Sequence, residues 1–295
     1  GSTAVGNDPL GLGVYWAQDL NYMNVVTMEE NTFDDARTYS QQLNNTITTL
    51  YNQGGGVVYF PEGEYYLWND IYMKTGVFFV GDGVDKTKIY LANDQNDNIV
   101  WFRAEQKAQD NIGFARLTLS TTHERLNIGT EEEPVWRVPN FITNWGGWGD
   151  YDQDIDTAQT ENKFIIDVYG DFAYGTPATS NTSRQVILMG GEGNIVWKNF
   201  VSTNGGSYIR AKHYVQVWNV KMLSRPVTPI IQTKYGFIEN SYFDVDAYDI
   251  GTESHGLSIR SDTYVAYSYC TSAGDRISPR NDGEALLAEV PNGYH

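Results

Sequence analysis

The sequence predicts an all-β fold: a solenoid of short stacked strands, closed at its amino end by one capping helix. Three observations carry this. One amphipathic helical pattern is present, confined to the first 53 residues. Short β-prone segments recur at intervals in the twenties near the carboxyl end. The composition is rich in glycine and aromatic residues, with 29 Gly and 14% Phe, Trp and Tyr but only 9 Pro in 295 residues, as many short strands joined by turns would produce.

Residues 1–33 are mixed, and Gly11–Trp16 reads as a leading segment lying along the coils. Ala36, Tyr39, Leu43, Ile47 and Leu50 fall on one helical face. Asp34 is the expected N-cap, with Asp35 in the first turn, where the positive end of the helix dipole favours it. Gly54 ends the cap of residues 34–53, because glycine accepts the left-handed C′ conformation. Val57–Phe60 is an unbroken β-prone run, Pro61-Glu62-Gly63-Glu64 a turn, and Tyr65–Trp68 the next strand. Further strands are expected at Val77–Val80, Lys88–Leu91, Ile99–Phe102 and Phe114–Leu119. Residues 121–185 break the rhythm as an irregular insertion, with one strand at Lys163–Tyr169. The rhythm then resumes. Ile195–Phe200 aligns with Val215–Val220, with Gly236–Phe243 and with Tyr264–Tyr269. Asn199, Asn219, Asn240 and Ser268 recur after 20, 21 and 28 residues. One turn residue per copy marks a solenoid, and stacked asparagines can bond along it. Coils that bury their apolar faces only against neighbours fold as one body, so a single domain over 1–295 is expected. The end at Pro291–His295, without a closing helix, reads as a solenoid that continues further.

The segments Asp34-Asp35-Ala36, Gly54–Gly56, Val57–Tyr65, Gly81-Asp82-Gly83 and Thr87-Lys88-Ile89 resemble, in order and spacing, the cap and first coil of pectate-lyase-like right-handed parallel β-helix proteins. Within them the likeness is to the branch shared by exo-acting polygalacturonases, β-1,3-glucanases and phage tailspikes. The resemblance implies a right-handed parallel β-helix. It leaves the reaction open, since that fold carries lyases, hydrolases, isomerases and non-catalytic adhesins.

Charge narrows the partners. The 37 carboxylates against 20 Lys and Arg give −17, which repels nucleic acid and anionic membranes and leans against a highly charged substrate. No apolar run approaches the roughly 18 residues that would span a bilayer. The single Cys270 excludes an intrachain disulfide and, in a strand-like run, reads as a small buried hydrophobe. No Walker loop, Rossmann fingerprint or zinc spacing is present. Gly190-Gly191-Glu192-Gly193-Asn194 leads into a strand, so it is no phosphate cradle.

Four groups are candidates for chemistry. Asp244 and Asp246 share a face in an extended segment, with Asp249 and Glu253 following. Glycoside hydrolysis needs two carboxyls across the scissile bond. Lytic elimination needs a base, and carboxylates holding calcium beside an acidic sugar. Second, Ser254-His255-Gly256-Leu257-Ser258-Ile259-Arg260 resembles the Gly-His-Gly-Leu-Ser-Ile stretch of polygalacturonases, which implies a catalytic-site role for His255. That family's preceding Gly-Asp-Asp motif is absent, and its Arg-Ile-Lys is only echoed by Arg276-Ile277-Ser278. Third, Gly274–Glu284 mixes Arg276 and Arg280 with Asp275, Asp282 and Glu284. Fourth, Trp136, Trp145, Trp148 and Tyr151 sit in the irregular insertion, where exposed aromatic rings suit the apolar faces of sugars.

The expectation is therefore a secreted, bacterial-type, carbohydrate-active enzyme, extracellular or periplasmic, that cleaves a polysaccharide. A glycoside hydrolase stands ahead of a polysaccharide lyase; the alternative is a non-catalytic adhesin, tailspike-like or scaffold module. Asp244, Asp246, Asp249, His255, Arg276 and Asp282 are the expected catalytic groups. Trp136, Trp145, Trp148, Tyr151, Arg260 and Arg280 are the expected substrate contacts. No metal or cofactor is expected, apart from calcium if the reaction is lytic.

Overall fold

The computed structural model describes residues 7–68, 70–92, 100–104, 110–121, 126–127, 132, 136–137, 140–144, 162–171, 185–191, 193–203, 206–224, 230–245, 257–260, 264–268, 271–273 and 277–280. A 3-10 turn (Tyr15–Asp19) and β1 (Val25–Thr27) precede helix α1 (Ala36–Asn52). Then come β2 (Gly56–Phe60), β3 (Gly63–Leu67), β4 (Ile71–Met73), β5 (Val77–Gly81), β6 (Thr87–Leu91), β7 (Val100–Ala104) and β8 (Ile112–Thr121). They are followed by β9 (Leu126–Asn127), β10 (Trp136–Arg137), β11 (Asn140–Asn144), β12 (Asn162–Asp171), β13 (Gln185–Gly191), β14 (Asn194–Thr203) and β15 (Gly206–Ser224). The last are β16 (Ile230–Glu239), β17 (Tyr242–Val245), β18 (Leu257–Arg260), β19 (Tyr264–Ser268), β20 (Thr271–Ala273) and β21 (Ile277–Arg280).

Apart from β9 and β10, each strand pairs in parallel with its counterpart one coil away, and three sheets result. Sheet 1 runs from β1 through β2, β5 and the first halves of β8, β12 and β14 to the middle of β15, the end of β16 and β19. Sheet 2 holds β3, β6, the second halves of β8, β12, β14 and β15, then β17 and β20. Sheet 3 holds β4, β7, β11, β13, the starts of β15 and β16, β18 and β21. The fold is a right-handed parallel β-helix, as the sequence predicts.

Alternate residues of each strand face inward. The inward column Val58, Phe79, Phe114, Ile165, Trp197, Val217 and Ile238 is in register from coil to coil and fully buried. Phe79 and Phe114 stack at 5.1 Å, and Phe102 meets Phe114 edge-on at 5.0 Å. Among the described residues, one inward position carries a charged side chain. Lys163, 1% exposed, lies in register between Ile112 and Ile195, both buried. Burial pulls its pKa down from 10.5 to about 7, and the charge of Asp110 opposes that fall.

Sheet 1 turns into sheet 2 through one left-handed residue per coil: Arg116, Asp167, Asn199, Asn219 and Asn240, with φ of 49–57°. Asparagine tolerates that conformation better than other non-glycine residues. The side chains bond along the axis. Asn199 donates to Asp167 at 2.8 Å, Asn219 to Asn199 at 2.8 Å, and Asn240 to Asn219 at 3.4 Å. A second ladder, Asn194 to Asn162 to Asn111, lines the turn into sheet 1 at 3.1 and 3.0 Å. Asn219→Leu is expected to destabilise by about 2–3 kcal/mol, through a strained φ and two lost bonds, and Asn219→Gly by less; urea unfolding measures both.

Helix α1 closes the first coil with Leu43, Ile47 and Leu50, all buried. Polar side chains finish the open strand edges that would otherwise recruit another chain. Asn31 donates to the Tyr66 carbonyl and accepts from its N–H at 2.8 and 2.7 Å. Asn44 does the same for Asp70 and Tyr72, and Ser40 for Trp68. Asn44→Leu is therefore expected to cost about 1–3 kcal/mol, read by thermal or urea unfolding. The leading segment lies along sheet 1 as expected. Leu12 and Trp16 pack on Val57, Phe78, Phe164 and Val196, and Lys198 and Arg116 donate to the Gly11 and Pro9 carbonyls.

Three details depart from expectation. The N-cap is Asp35, not Asp34, and its side chain does not cap the helix; it accepts from the Thr32 hydroxyl at 2.6 Å instead. Ser268 pairs with Glu239, one position short of the asparagine column, because β19 starts opposite Tyr235. Within 121–185, the strand expected at Lys163–Tyr169 is β12, and β11 is a further strand; both pair in parallel with strands of the coils on both sides, so these two segments belong to the stack. Cys270 lies outside the described residues.

Candidate functional site

Chain length is spent unevenly around the coil. From β8 to β17, one or two residues join sheet 1 to sheet 2. The connections from sheet 2 to sheet 3 reach eighteen residues (122–139), thirteen (172–184) and eleven (246–256). Those from sheet 3 back to sheet 1 reach seventeen (145–161). The surplus collects at the two long edges of sheet 3, and binding residues concentrate on loops held by a rigid scaffold. Sheet 3 is thus the floor of the candidate site, and β9 pairs antiparallel with β10 within the longest connection.

Registers then define that floor. Met189, Ile209 and Ile231 form an inward column and are buried. One residue on, Gly190, Arg210, Gln232, Arg260 and Arg280 occupy one register column, on the opposite face by the alternation of the strand. One residue before lie Leu188, Tyr208, Ile230, Ser258 and Ser278. Successive coils are about 4.8 Å apart, so the three arginine positions span about 14 Å along the axis. Among the described residues, no Asp or Glu occupies these two columns. In the first coils the same face carries Arg103, which is ion-paired to Asp70 at 3.2 Å and lies 5.8 Å from the Tyr72 ring centroid.

Sheet 2 has a different outward face. Tyr66 stacks on Tyr90 at 5.2 Å, and both hydroxyls donate to Glu64, at 3.2 and 3.3 Å. Burial raises both phenol pKa values, and Glu64 adds to the rise. Their column continues through Ser120, Asp171, Thr203 and Leu223 to Asp244. Lys221 lies 5.8 Å from the Tyr242 ring, on the same sheet.

The expected site residues divide accordingly. Arg260 and Arg280 are in direct register on sheet 3. Asp244 is on sheet 2, three coils from Asp171 in its column, and so on a different sheet from the arginines. Trp136 lies in β10, opposite Asn127. Asp246, Asp249, His255, Arg276, Asp282, Trp145, Trp148 and Tyr151 lie outside the described residues. Sequence reasoning missed Tyr208, Arg210 and Gln232. The available signal was the alignment of Ile231-Gln232 with Ile259-Arg260, 28 residues on. Among the described residues no cluster of His, Cys, Asp and Glu suits a metal ion, and no helix is long and apolar enough to cross a membrane.

No curated protein matches the sequence. Two solved structures from Azotobacter vinelandii are similar. The A-module of mannuronan C-5 epimerase AlgE4 is 14% identical, with a TM-score of 0.40 over 85% of this chain and 93% of that one. The A-module of mannuronan C-5 epimerase AlgE6 is 14% identical, with a TM-score of 0.35 over 89% and 98%. The family described as rhamnogalacturonase A/epimerase, pectate lyase-like, matches residues 22–237. With most of its length covered by that match, the chain belongs to the rhamnogalacturonase A/epimerase, pectate lyase-like family of carbohydrate-active proteins.

Proposed function

We propose that this polysaccharide-processing protein lays an acidic polysaccharide along sheet 3 and removes the proton α to a sugar carboxylate, the step shared by lyases and epimerases. The observation that carries the reading is the column Arg210, Gln232, Arg260 and Arg280, without a described carboxylate at the outward positions of the strands around it.

Abstraction of that proton leaves negative charge on the carboxylate, and fixed cations stabilise it. Guanidinium binds a carboxylate through paired N–H groups and stays charged, so arginine is the electrostatic clamp and not the base. Tyr208 shares a strand face with Arg210 at a two-residue step. A phenol can exchange a proton with a substrate carbon, which makes Tyr208 the described position on this strand assigned that role. Delivery of a proton from solvent to the opposite face of the carbon inverts it. Departure of the β-glycosidic oxygen instead leaves an unsaturated sugar. A two-carboxylate hydrolysis finds less support, because Asp244 is on sheet 2. The global −17 opposes a polyanion only at long range; screening over about 8 Å confines it.

Incubation with a panel of polyuronates tests the reading. Turnover is expected to give unsaturated or inverted sugars, detected by ultraviolet absorbance and by proton NMR. Turnover of neutral glycans alone contradicts it.

A further inference from the structure

We propose that the amino-terminal end of the solenoid is a docking groove for an extended, lysine- or arginine-bearing peptide, separate from the polysaccharide face. A cavity of about 480 Å³ lies between the extended stretch 26–31 and the outer face of α1, a volume within the range of ligand sites.

Its first wall is a strand edge. β1 pairs in parallel with β2 and, among the described residues, with no other strand. The Val57 N–H donates to the Asn24 carbonyl and the Met28 N–H to the Tyr59 carbonyl, each at 2.8 Å. The even-numbered residues therefore direct their backbone groups at β2, and Val25 and Thr27 direct theirs away. Val25 is 51% exposed. The wall is rigid: Glu30 accepts from the Glu64 N–H at 2.8 Å, and Asn31 brackets Tyr66. The second wall is helical, with Asp35, Thr38 and Gln42 on one face. The Tyr39 hydroxyl donates to the Glu29 carbonyl and fastens the two walls together.

A groove between a strand edge and a helix suits an extended peptide, because the edge gives main-chain bonds and the groove gives side-chain pockets. Charge selects which peptide. Glu29, Glu30 and Asp35 line the cavity and no Lys or Arg does, so cationic side chains complement it. A glycan is less suited, since the only aromatic lining residue, Tyr39, is buried at 8% exposure.

The test uses a fluorescein-labelled octapeptide of alternating lysine and valine, titrated with the whole protein and read by anisotropy. Saturable, salt-sensitive binding is expected. Glu29→Lys and Gln42→Trp, both at exposed positions, are each expected to weaken it at least about tenfold without changing the unfolding midpoint. N-methylation of alternate amides in the peptide, which leaves the protein untouched, is expected to weaken it similarly. The proposal is overturned by absent binding, by equal binding of a glutamate–valine peptide, by indifference to both substitutions or to N-methylation, or by displacement with an oligosaccharide.

Discussion

Lys163→Met is expected to make the protein more stable at neutral pH, by about 2–4 kcal/mol. The lysine occupies an inward position between Ile112 and Ile195 at 1% exposure. Its desolvation is only partly offset by Asp110. Removing the lysine does not strand that carboxylate, since Asp110 accepts from the N–H groups of Asn111 and Asn162, each at 2.7 Å. The pH dependence identifies the cause. The folded-state pKa of about 7 lies below the ordinary 10.5. Below about pH 7 both states carry the proton, and the folded state bears the full cost. Between about 7 and 10.5 only the unfolded chain keeps it, so stability rises with pH through that window. The wild-type protein should therefore gain on Lys163→Met from pH 7 to pH 10, measured by urea unfolding at each pH. A destabilised Lys163→Met, or a constant difference, shows that the lysine is well solvated by its partners.

Arg260→Ala is expected to reduce kcat/KM on an acidic polysaccharide by about 10²–10³-fold, the scale of losing one preorganised charge donor in a transition state. Arg260 is the central arginine of the column, with Gln232 and Arg280 as its register partners. Arg260→Lys keeps the charge but loses the paired N–H geometry, and should recover only part of the activity. Tyr208→Phe separates clamp from proton transfer: kcat falls while KM stays close to wild type. Equal losses for Asp244→Asn and Arg260→Ala would instead draw sheet 2 into the reaction.

The amino-terminal cap is legible in the sequence because its signals are local. A 3.6-residue apolar period, Gly54 with a φ of 88° and a β-branched run need no distant partner to be read. The first asparagine ladder is legible because its coils are of nearly constant length, 20 and 21 residues. The second is not: Asn111, Asn162 and Asn194 are 51 and 32 residues apart, since connections of unequal length separate them. The same irregularity hides the arginine column. Arg210, Arg260 and Arg280 are 50 and 20 apart, and only the register of three sheets brings them into line. Asp244 is the converse case. Its proximity in sequence to Asp246 and Arg260 suggests one cluster, yet the coil turns between β17 and β18 and places Asp244 and Arg260 on different sheets.

Deuterium labelling tests the assignment of sheet 3 most directly. Polyuronates incubated with the protein in D2O and analysed by NMR should acquire deuterium on the carbon bearing the carboxylate, or lose that proton to a double bond, and Arg260→Ala should slow both by about 10²–10³-fold. New reducing ends with neither deuterium nor unsaturation at that carbon would contradict proton abstraction on the arginine-lined face.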